Sequence, residues 1–337
     1  MRRRLENPPD LKIQGSAMRT LGIVVPCFNE EEALPETTRR LAVVLNDLQE
    51  KGKIGPDSRV YFVDDGSRDG TWQSIRGLAE TYGFVRGMKL SRNQGHQSAL
   101  LAGLMHARGD CLVSIDADLQ DDLSAIESML DAHAAGADIV YGVRKNRKTD
   151  SLFKRWSAEW YYRALALMGV EVVFNHADYR LMSRRAIDAL REFGEVNLFL
   201  RGIIPKLGFN TATVYYDRAE RVAGESKYPL RKMLGLALQG VTSFSVFPLR
   251  VITFLGFLIS AVSFLVVCWV LWVRFVAGEA VPGWSSILLP MSLLGGIQLL
   301  SLGVIGEYLG KIYLETKRRP RYFIQEVVAR DSQEPGG

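Results

Sequence analysis

The stretch VYFVDDGSRDGT, residues 60–71, is a short β-rich run, Val60–Asp64, that ends in acidic and turn-forming residues and passes into a helical pattern at Thr71. By itself Asp69-Gly70 is a turn and Thr71 a helix cap. The same unit recurs on both sides of it. Before it lie a strand over Leu21–Cys27 and a helix over Glu31–Glu50. After it come a helix over Thr71–Tyr82, a strand over Val85–Leu90, a helix over Gln94–Ala107, a strand over Cys111–Asp116, a helix over Leu123–Ala134 and a strand over Ile139–Val143. Apolar strands alternating with helices predict an α/β domain with a mostly parallel sheet covered on both faces. Ligands of such sheets sit at the carboxyl ends of the strands. The polar residues that follow each strand are therefore the ones to examine.

Three strand ends stand out. The first is Pro26-Cys27-Phe28-Asn29-Glu30-Glu31 and the second runs from Asp64 to Thr71; polar side chains at neighbouring strand ends can grip one small polar ligand such as a nucleoside. The third is Asp116-Ala117-Asp118-Leu119-Gln120. If extended, its alternate residues share a face, so that both carboxylates and the Gln amide oxygen converge. A few carboxylate oxygens, with a diphosphate completing the shell, suit Mg²⁺ or Mn²⁺. An isolated pair of this kind is also what a solvated turn looks like.

The 337 residues are 47% apolar with a net charge of +5, but the apolar residues crowd the last third. No charged residue occurs from Val251 to Val273 or from Trp284 to Gly306. Each run is about 23 residues, roughly 34 Å as a helix, enough for a ~30 Å hydrocarbon core. The expected organisation is a disordered basic arm over 1–20, an α/β domain over 21–228, a juxtamembrane helix over 229–250, two transmembrane helices within 251–310 (about 251–273 and 284–306) and a tail over 311–337. Basic residues Lys227, Arg231, Lys232 and Arg250 precede the first run, and Lys311, Lys317, Arg318, Arg319 and Arg321 follow the second. The positive-inside rule then places the α/β domain and both termini in the cytoplasm. Ser151–Val170 and Pro229–Phe247 mix basic and aromatic residues, as interfacial amphipathic helices do, although core-facing helices remain open for both. Three widely spaced cysteines, Cys27, Cys111 and Cys268, suit reduced thiols without a disulfide frame. The basic excess is too modest and too scattered for a nucleic-acid binder.

In order, VVPCFNEEEAL (24–34), VDDGSRDGT (63–71), LSRNQGHQSALLAG (90–103) and IDADLQDD (115–122) resemble the family 2 nucleotide-sugar glycosyltransferases, whose fold is the Rossmann-like GT-A type. HADYRLMSRRAI (176–187), FLRGIIPKLGF (199–209) and RVAGESKYPLRKML (221–234), followed by two apolar runs, resemble the polyprenyl-phosphate branch, which includes bactoprenol glucosyltransferases, undecaprenyl-phosphate aminoarabinose transferases and dolichyl-phosphate mannose synthases. The resemblance implies that Pro26, Asn29, Glu30 and Asp65 hold the nucleoside with Asp116 near the donor. It implies that Asp118 and Gln120, with Asp116, bind the metal, and that Arg144, Arg221, Ser226 and Lys227 meet the lipid phosphate or donor phosphates. It further implies a bacterial plasma-membrane protein, a UDP-sugar donor with glucose as first choice, an undecaprenyl phosphate acceptor, and a homo-oligomer, a tetramer among its relatives.

An acceptor phosphate is already dianionic near neutral pH and needs no strong base. What is left is charge neutralisation and alignment, in which Asp116, Asp118, Arg221 and Lys227 are the expected catalytic residues. Asp178, in Asp178-Tyr179-Arg180, is either a base or a structural partner of Arg180. His96, at a helix start, touches the sugar or merely caps. Direct attack predicts inversion at the anomeric carbon. Other donors, GDP-mannose or a UDP-aminoarabinose derivative, fit the same motifs. So does a non-catalytic membrane scaffold, which metal-dependent nucleotide-sugar binding would exclude. Finally, Tyr322–Val328 alternates as a strand able to contact a neighbouring subunit.

Overall fold

The computed structural model describes residues 18–118, 120–144, 176–195, 200–216, 247–272 and 285–329. In chain order the elements are β1 (Leu21–Cys27), α1 (Leu34–Glu50), β2 (Arg59–Asp64), α2 (Thr71–Thr81), β3 (Val85–Leu90), α3 (His96–His106), β4 (Cys111–Ser114), α4 (Ala125–Ala134), β5 (Ile139–Arg144), β6 (His176–Ser183), α5 (Arg184–Arg191), α6 (Leu200–Lys206), β7 (Thr211–Tyr216), α7 (Phe247–Trp272), α8 (Ser285–Thr316) and β8 (Ile324–Ala329). Helix α1 starts at Leu34 rather than Glu31, because Glu31–Ala33 form a turn and Pro35 enters the first turn, where a missing N–H costs nothing.

The strands form one sheet in the order β7-β5-β6-β4-β1-β2-β3-β8. β1 pairs in parallel with β2 and β4, β2 with β3, and β5 with β7, whereas β6 and β8 run antiparallel to their neighbours. All seven residues of β1 are buried, and they serve two cores. Leu21, Ile23, Val25 and Cys27 face α1, α2 and α4, while Val24 packs with α3, α5 and α6. Each such aliphatic side chain stabilises the fold by about 1.5–3 kcal/mol on removal from water. Gly103 lets α3 lie close: a Cβ there would stand 2.3 Å from Val24 Cγ1 and 2.9 Å from Val63 Cγ2.

The tail does form a strand, but its partner is its own domain. β8 pairs antiparallel with β3, from Arg86↔Ala329 to Leu90↔Ile324. Val328 packs on one core, and Tyr322 and Ile324 pack on the other. Intramolecular pairing wins because β3 would otherwise be an unprotected edge with apolar flanks on both faces. The chain therefore leaves the sheet, traverses α7 and α8, and returns to it.

Helix α7 is 26 residues long and α8 is 32. Large apolar side chains are exposed along both, among them Phe254, Phe257, Phe264 and Trp269 of α7 and Met291 and Leu299 of α8. Taken over the residues whose side chains are described, no helix is long and apolar enough to cross a membrane. The expected juxtamembrane stretches 151–170 and 229–246 and the arm up to residue 17 lie outside the described residues. Thr20 is already part of the domain, its backbone N–H and hydroxyl donating to Asp110 at 2.7 and 2.9 Å.

Candidate active site

The carboxyl ends of β1, β2 and β4 meet, as the parallel register requires: Cys27 stands opposite Asp64, and Val24 opposite Ser114. The loops after β1 and β2 are laced together. The Asn29 N–H donates to Ser67 Oγ (3.0 Å), Asn29 Oδ1 accepts from the Arg68 N–H (2.9 Å), the Glu30 N–H donates to Thr71 Oγ1 (2.9 Å) and Glu31 Oε2 accepts from the Gly70 N–H (2.9 Å). Asn29 adopts φ +56°, which an Asn tolerates better than most residues. Pro26 is buried at the end of β1, and Glu30 stands at the loop mouth, half-buried. Pro26, Asn29, Glu30 and Asp65, distant in sequence, are thus brought to one end of the sheet.

Asp65 has a definite task of its own. Its carboxylate accepts the Gln94 and Gly95 N–H groups at 2.7 and 2.9 Å and so fixes the loop between β3 and α3. Burial pushes its carboxyl up, and those two bonds hold it down; the net direction is up. Its neighbour Asp64, not singled out by the motif reading, is fully buried with Oδ2 unpartnered.

The extended geometry expected for Asp116-Ala117-Asp118-Leu119-Gln120 is not what forms. β4 stops at Ser114, and Ala117 and Asp118 lie in a turn. Gln120 folds back on Asp118, its amide Nε2 donating to Oδ2 at 2.6 Å and its N–H to Oδ1 at 3.3 Å. A carboxylate that can bond its own backbone two residues on favours such a turn over a strand. The acidic groups still converge. Burial and then Asp118 and Asp116 raise the Glu30 carboxyl. Asp116 is pushed up to about 6 by loss of solvent and by Asp121, Asp178 and Asp118, against the opposing pull of His96. Carboxylates that raise one another in this way suit a divalent cation, which removes the repulsion. Asp116 and Asp118 carry hard oxygens of the kind such a cation takes, with Gln120 bonded to both oxygens of Asp118. Among the described residues no three acidic, His or Cys side chains close around a point as a full cage does; the donor set fits a cation whose remaining ligands come from a diphosphate.

Asp178 is the hub of an ion network. Arg201 holds both its oxygens at 3.1–3.2 Å, buried Arg180 donates to Oδ1, and Gln97 Nε2 lies 3.4 Å from Oδ2. His96 Nε2 stands 3.6 Å from Asp178 Oδ2 and 3.7 Å from Asp116 Oδ1. Burial alone would raise the Asp178 carboxyl, but His96, Arg180 and Arg201 hold it far below the usual carboxylate range. A carboxylate so stabilised is a poor base, which favours the structural alternative for it. The imidazole of His96 is lowered by burial but raised on balance by Asp178 and Asp116, so the histidine links the metal-side and hub carboxylates.

Arg144 ends β5, where its NH2 donates to Asp121 (3.2 Å) and its Nε to the Tyr216 hydroxyl (3.3 Å). Asp121 and Tyr216 were not legible as site residues. Asp121 sat in an acidic run with nothing to separate it from Asp122, and Tyr216 reaches it across 95 positions. Arg221, Ser226 and Lys227 lie outside the described residues.

A match to glycosyl transferase family 2 spans residues 22–191. The chain belongs to that family. Among relatives of this family 2 glycosyltransferase, the uncharacterized glycosyltransferase YkoT of Bacillus subtilis is 49% identical over 306 residues, covering 90% of each chain. The bactoprenol glucosyl transferase of Shigella phage SfV is 42% identical, covering 90% of this chain and 98% of that one. The prophage bactoprenol glucosyl transferase homolog of Escherichia coli K12 is 40% identical, covering 91% and 99%. Likeness to solved structures is weaker: the Pyrobaculum calidifontis mannosyltransferase PcManGT, in complex with GDP-Man and Mn²⁺, is 18% identical with a TM-score of 0.42, covering 92% of this chain and 88% of that one. The glycosyltransferase reading of the motifs, and the α/β fold of GT-A type with a mostly parallel sheet, therefore hold.

Proposed function

We propose that this glycosyltransferase moves a hexosyl group, glucose before others, from a UDP-sugar to undecaprenyl phosphate at the cytoplasmic face of a bacterial plasma membrane, with inversion and with Mg²⁺ or Mn²⁺. The observation that carries the reading is a strand-end site in a chain whose two long apolar helices lie between two strands of the same sheet. End-to-end similarity to bactoprenol glucosyl transferases supports the lipid acceptor.

Val251–Trp272 of α7 and Ser285–Gly306 of α8 carry no charge. At 1.5 Å per residue each run is roughly 33 Å long, which supports a crossing of a ~30 Å hydrocarbon core. Large apolar side chains exposed along such helices are at home in lipid and costly in water. The return of β8 to the sheet that precedes α7 supports an even number of crossings. The catalytic domain and both ends of the helix pair then share the cytoplasmic side, as the basic flanks require. Assembly into a homo-oligomer belongs to this reading through the family resemblance alone.

In this site Pro26, Asn29, Glu30 and Asp65 shape the nucleoside pocket, and Asp116, Asp118 and Gln120 hold the cation. The cation, when bound, neutralises charge on the leaving diphosphate. Arg144, with Arg221, Ser226 and Lys227, receives the acceptor phosphate. That dianion attacks without help from a strong base, in keeping with an Asp178 too weakly basic to serve as one.

The test is transfer of radiolabelled sugar from a panel of UDP-sugars, then GDP-mannose, to undecaprenyl phosphate by the full chain in detergent. Label should enter the lipid from one donor and vanish with chelator or Asp118→Ala. No label from any donor, with nucleotide binding intact, overturns the acceptor assignment; no nucleotide binding at all leaves the scaffold alternative.

A further inference from the structure

Asp121, Tyr216 and Arg144 form a closed ring of hydrogen bonds with one possible polarity. The Tyr216 hydroxyl donates to Asp121 Oδ1 at 2.5 Å and accepts from Arg144 Nε at 3.3 Å, while Arg144 NH2 donates to the same Oδ1 at 3.2 Å. The Asp121 side chain is only 4% exposed, that of Arg144 30%. A second tyrosine fixes the next residue: the Tyr179 hydroxyl donates to the Asp122 carbonyl at 3.0 Å, and its ring meets that of Tyr216 edge-on, centroids 5.2 Å apart at 81°. Consecutive residues directly after Gln120 are thus pinned by tyrosines from β6 and β7.

The ring is more than a brace between strands. One of its members, Asp121, is covalently next to Gln120, on the loop that carries Asp116 and Asp118. Another, Arg144, is the last residue of β5, and Tyr216 is the last of β7. A lone Arg–Asp pair would leave the guanidinium free to swing about its long side chain. Adding a tyrosine hydroxyl to Nε fixes the rotation of the guanidinium plane, because the donors of arginine form a rigid fork.

We infer that Asp121 and Tyr216 are positioning residues that orient Arg144 towards the acceptor phosphate and tie it to the loop that carries Asp116 and Asp118. The inference rests on the proposed acceptor reading and deepens it by assigning the two residues that aim its cation.

The experiment compares wild type, Tyr216→Phe and Asp121→Asn as full chains in detergent. Two binding measurements are made by calorimetry, Mn²⁺·UDP alone and then farnesyl phosphate to the Mn²⁺·UDP-loaded protein, beside transfer kinetics. Tyr216→Phe keeps the ring contact with Tyr179 and removes only the hydroxyl. It should weaken farnesyl phosphate binding and raise the acceptor KM about tenfold, with the Mn²⁺·UDP affinity and kcat at saturating acceptor within about twofold, as the loss of one bond to a charged group implies. Asp121→Asn should do the same to a greater degree. Unchanged farnesyl phosphate affinity in both variants overturns the inference while leaving the acceptor reading intact. So does an equal loss of Mn²⁺·UDP and farnesyl phosphate affinity, which marks a general structural role. A wild type that binds Mn²⁺·UDP but no farnesyl phosphate overturns both readings.

Discussion

Trp72 and Glu326, 254 positions apart, share a hydrogen bond of 3.1 Å from the indole N–H to a carboxylate oxygen. Trp72 is in the first turn of α2, directly after the Thr71 that receives the Glu30 N–H. Glu326 is in the returning strand β8, beyond both long helices. The strand also takes the Ser91 N–H on the Phe323 carbonyl at 2.9 Å, where β3 exits towards the loop held by Asp65. The tail therefore buttresses α2 and the end of β3.

Trp72→Phe should lower the stability of the full chain by about 1 kcal/mol, the net worth of one hydrogen bond. Ending the chain before Tyr322 should cost several-fold more, because it uncovers the edge of β3 and both cores beneath Val328 and Ile324. Thermal unfolding in detergent reads both. Equal Tm values for wild type and the shortened chain would mean that β8 is not part of the folded domain.

Gly66, at the turn after β2, has φ +67°, and a Cβ there would lie 2.6 Å from the Asn93 backbone nitrogen. Both the torsion and the clash are with rigid backbone. Gly66→Ala should therefore cost about 1–3 kcal/mol and weaken UDP binding by displacing the loop that ends at Asp65. A variant with native Tm and native UDP affinity would refute the close approach of the two loops.

The metal-free protein should become more stable as pH falls from 7.5 to 5.5. Asp116 has its carboxyl raised to about 6 in the fold, so its ionised form is disfavoured there relative to the unfolded chain. The penalty is fully present above that value and is relieved as protons bind below it. Raised Glu30 and His96 act in the same sense. Mn²⁺ should then raise Tm more at pH 7.5 than at pH 5.5. A cation effect independent of pH would separate the metal from this carboxylate cluster.

Asp138 shows the opposite sign. Its buried carboxylate accepts from Arg185 and, at 2.9 Å, from the Ser183 hydroxyl, and the hydrogen bonds from Arg185 hold its carboxyl below the usual range. Its stabilisation is present above the unfolded value and is lost as pH falls through the depressed folded one. Asp138→Asn should cost about 1–2 kcal/mol near neutral pH, with the gap to wild type closing as pH falls below about 4. Urea unfolding at the two pH values measures it; a gap that persists in acid would mean that packing, not charge, is lost.

The order of strands and helices from Leu21 to Arg144 was legible because hydrophobic periodicity is local: a strand buried on both faces shows a continuous apolar run, and α1 shows its stripe at Leu34, Leu41, Leu45 and Leu48. That Pro26, Asn29, Glu30, Asp65, Asp116 and Asp118 gather at one end of the sheet was legible for the same reason, since a parallel sheet puts every strand end on one side. The two charge-free helices and their basic flanks are likewise properties of contiguous sequence. What only the tertiary structure decided involves partners far apart in the chain. Periodicity predicts a strand over Tyr322–Val328, close to the observed Ile324–Ala329, but not that the open edge of β3 takes it. An acidic run does not reveal that Asp121 binds Tyr216 and Arg144, and the Asp178–Arg180 pairing that the sequence offered does not reveal that Arg201 also holds Asp178. Even the turn at Asp118 escaped, because whether a two-residue alternation stays extended depends on where the neighbouring strand stops offering backbone partners. A hydrogen bond between distant residues leaves no period in the sequence; it exists only once the sheet has fixed which side chains face each other.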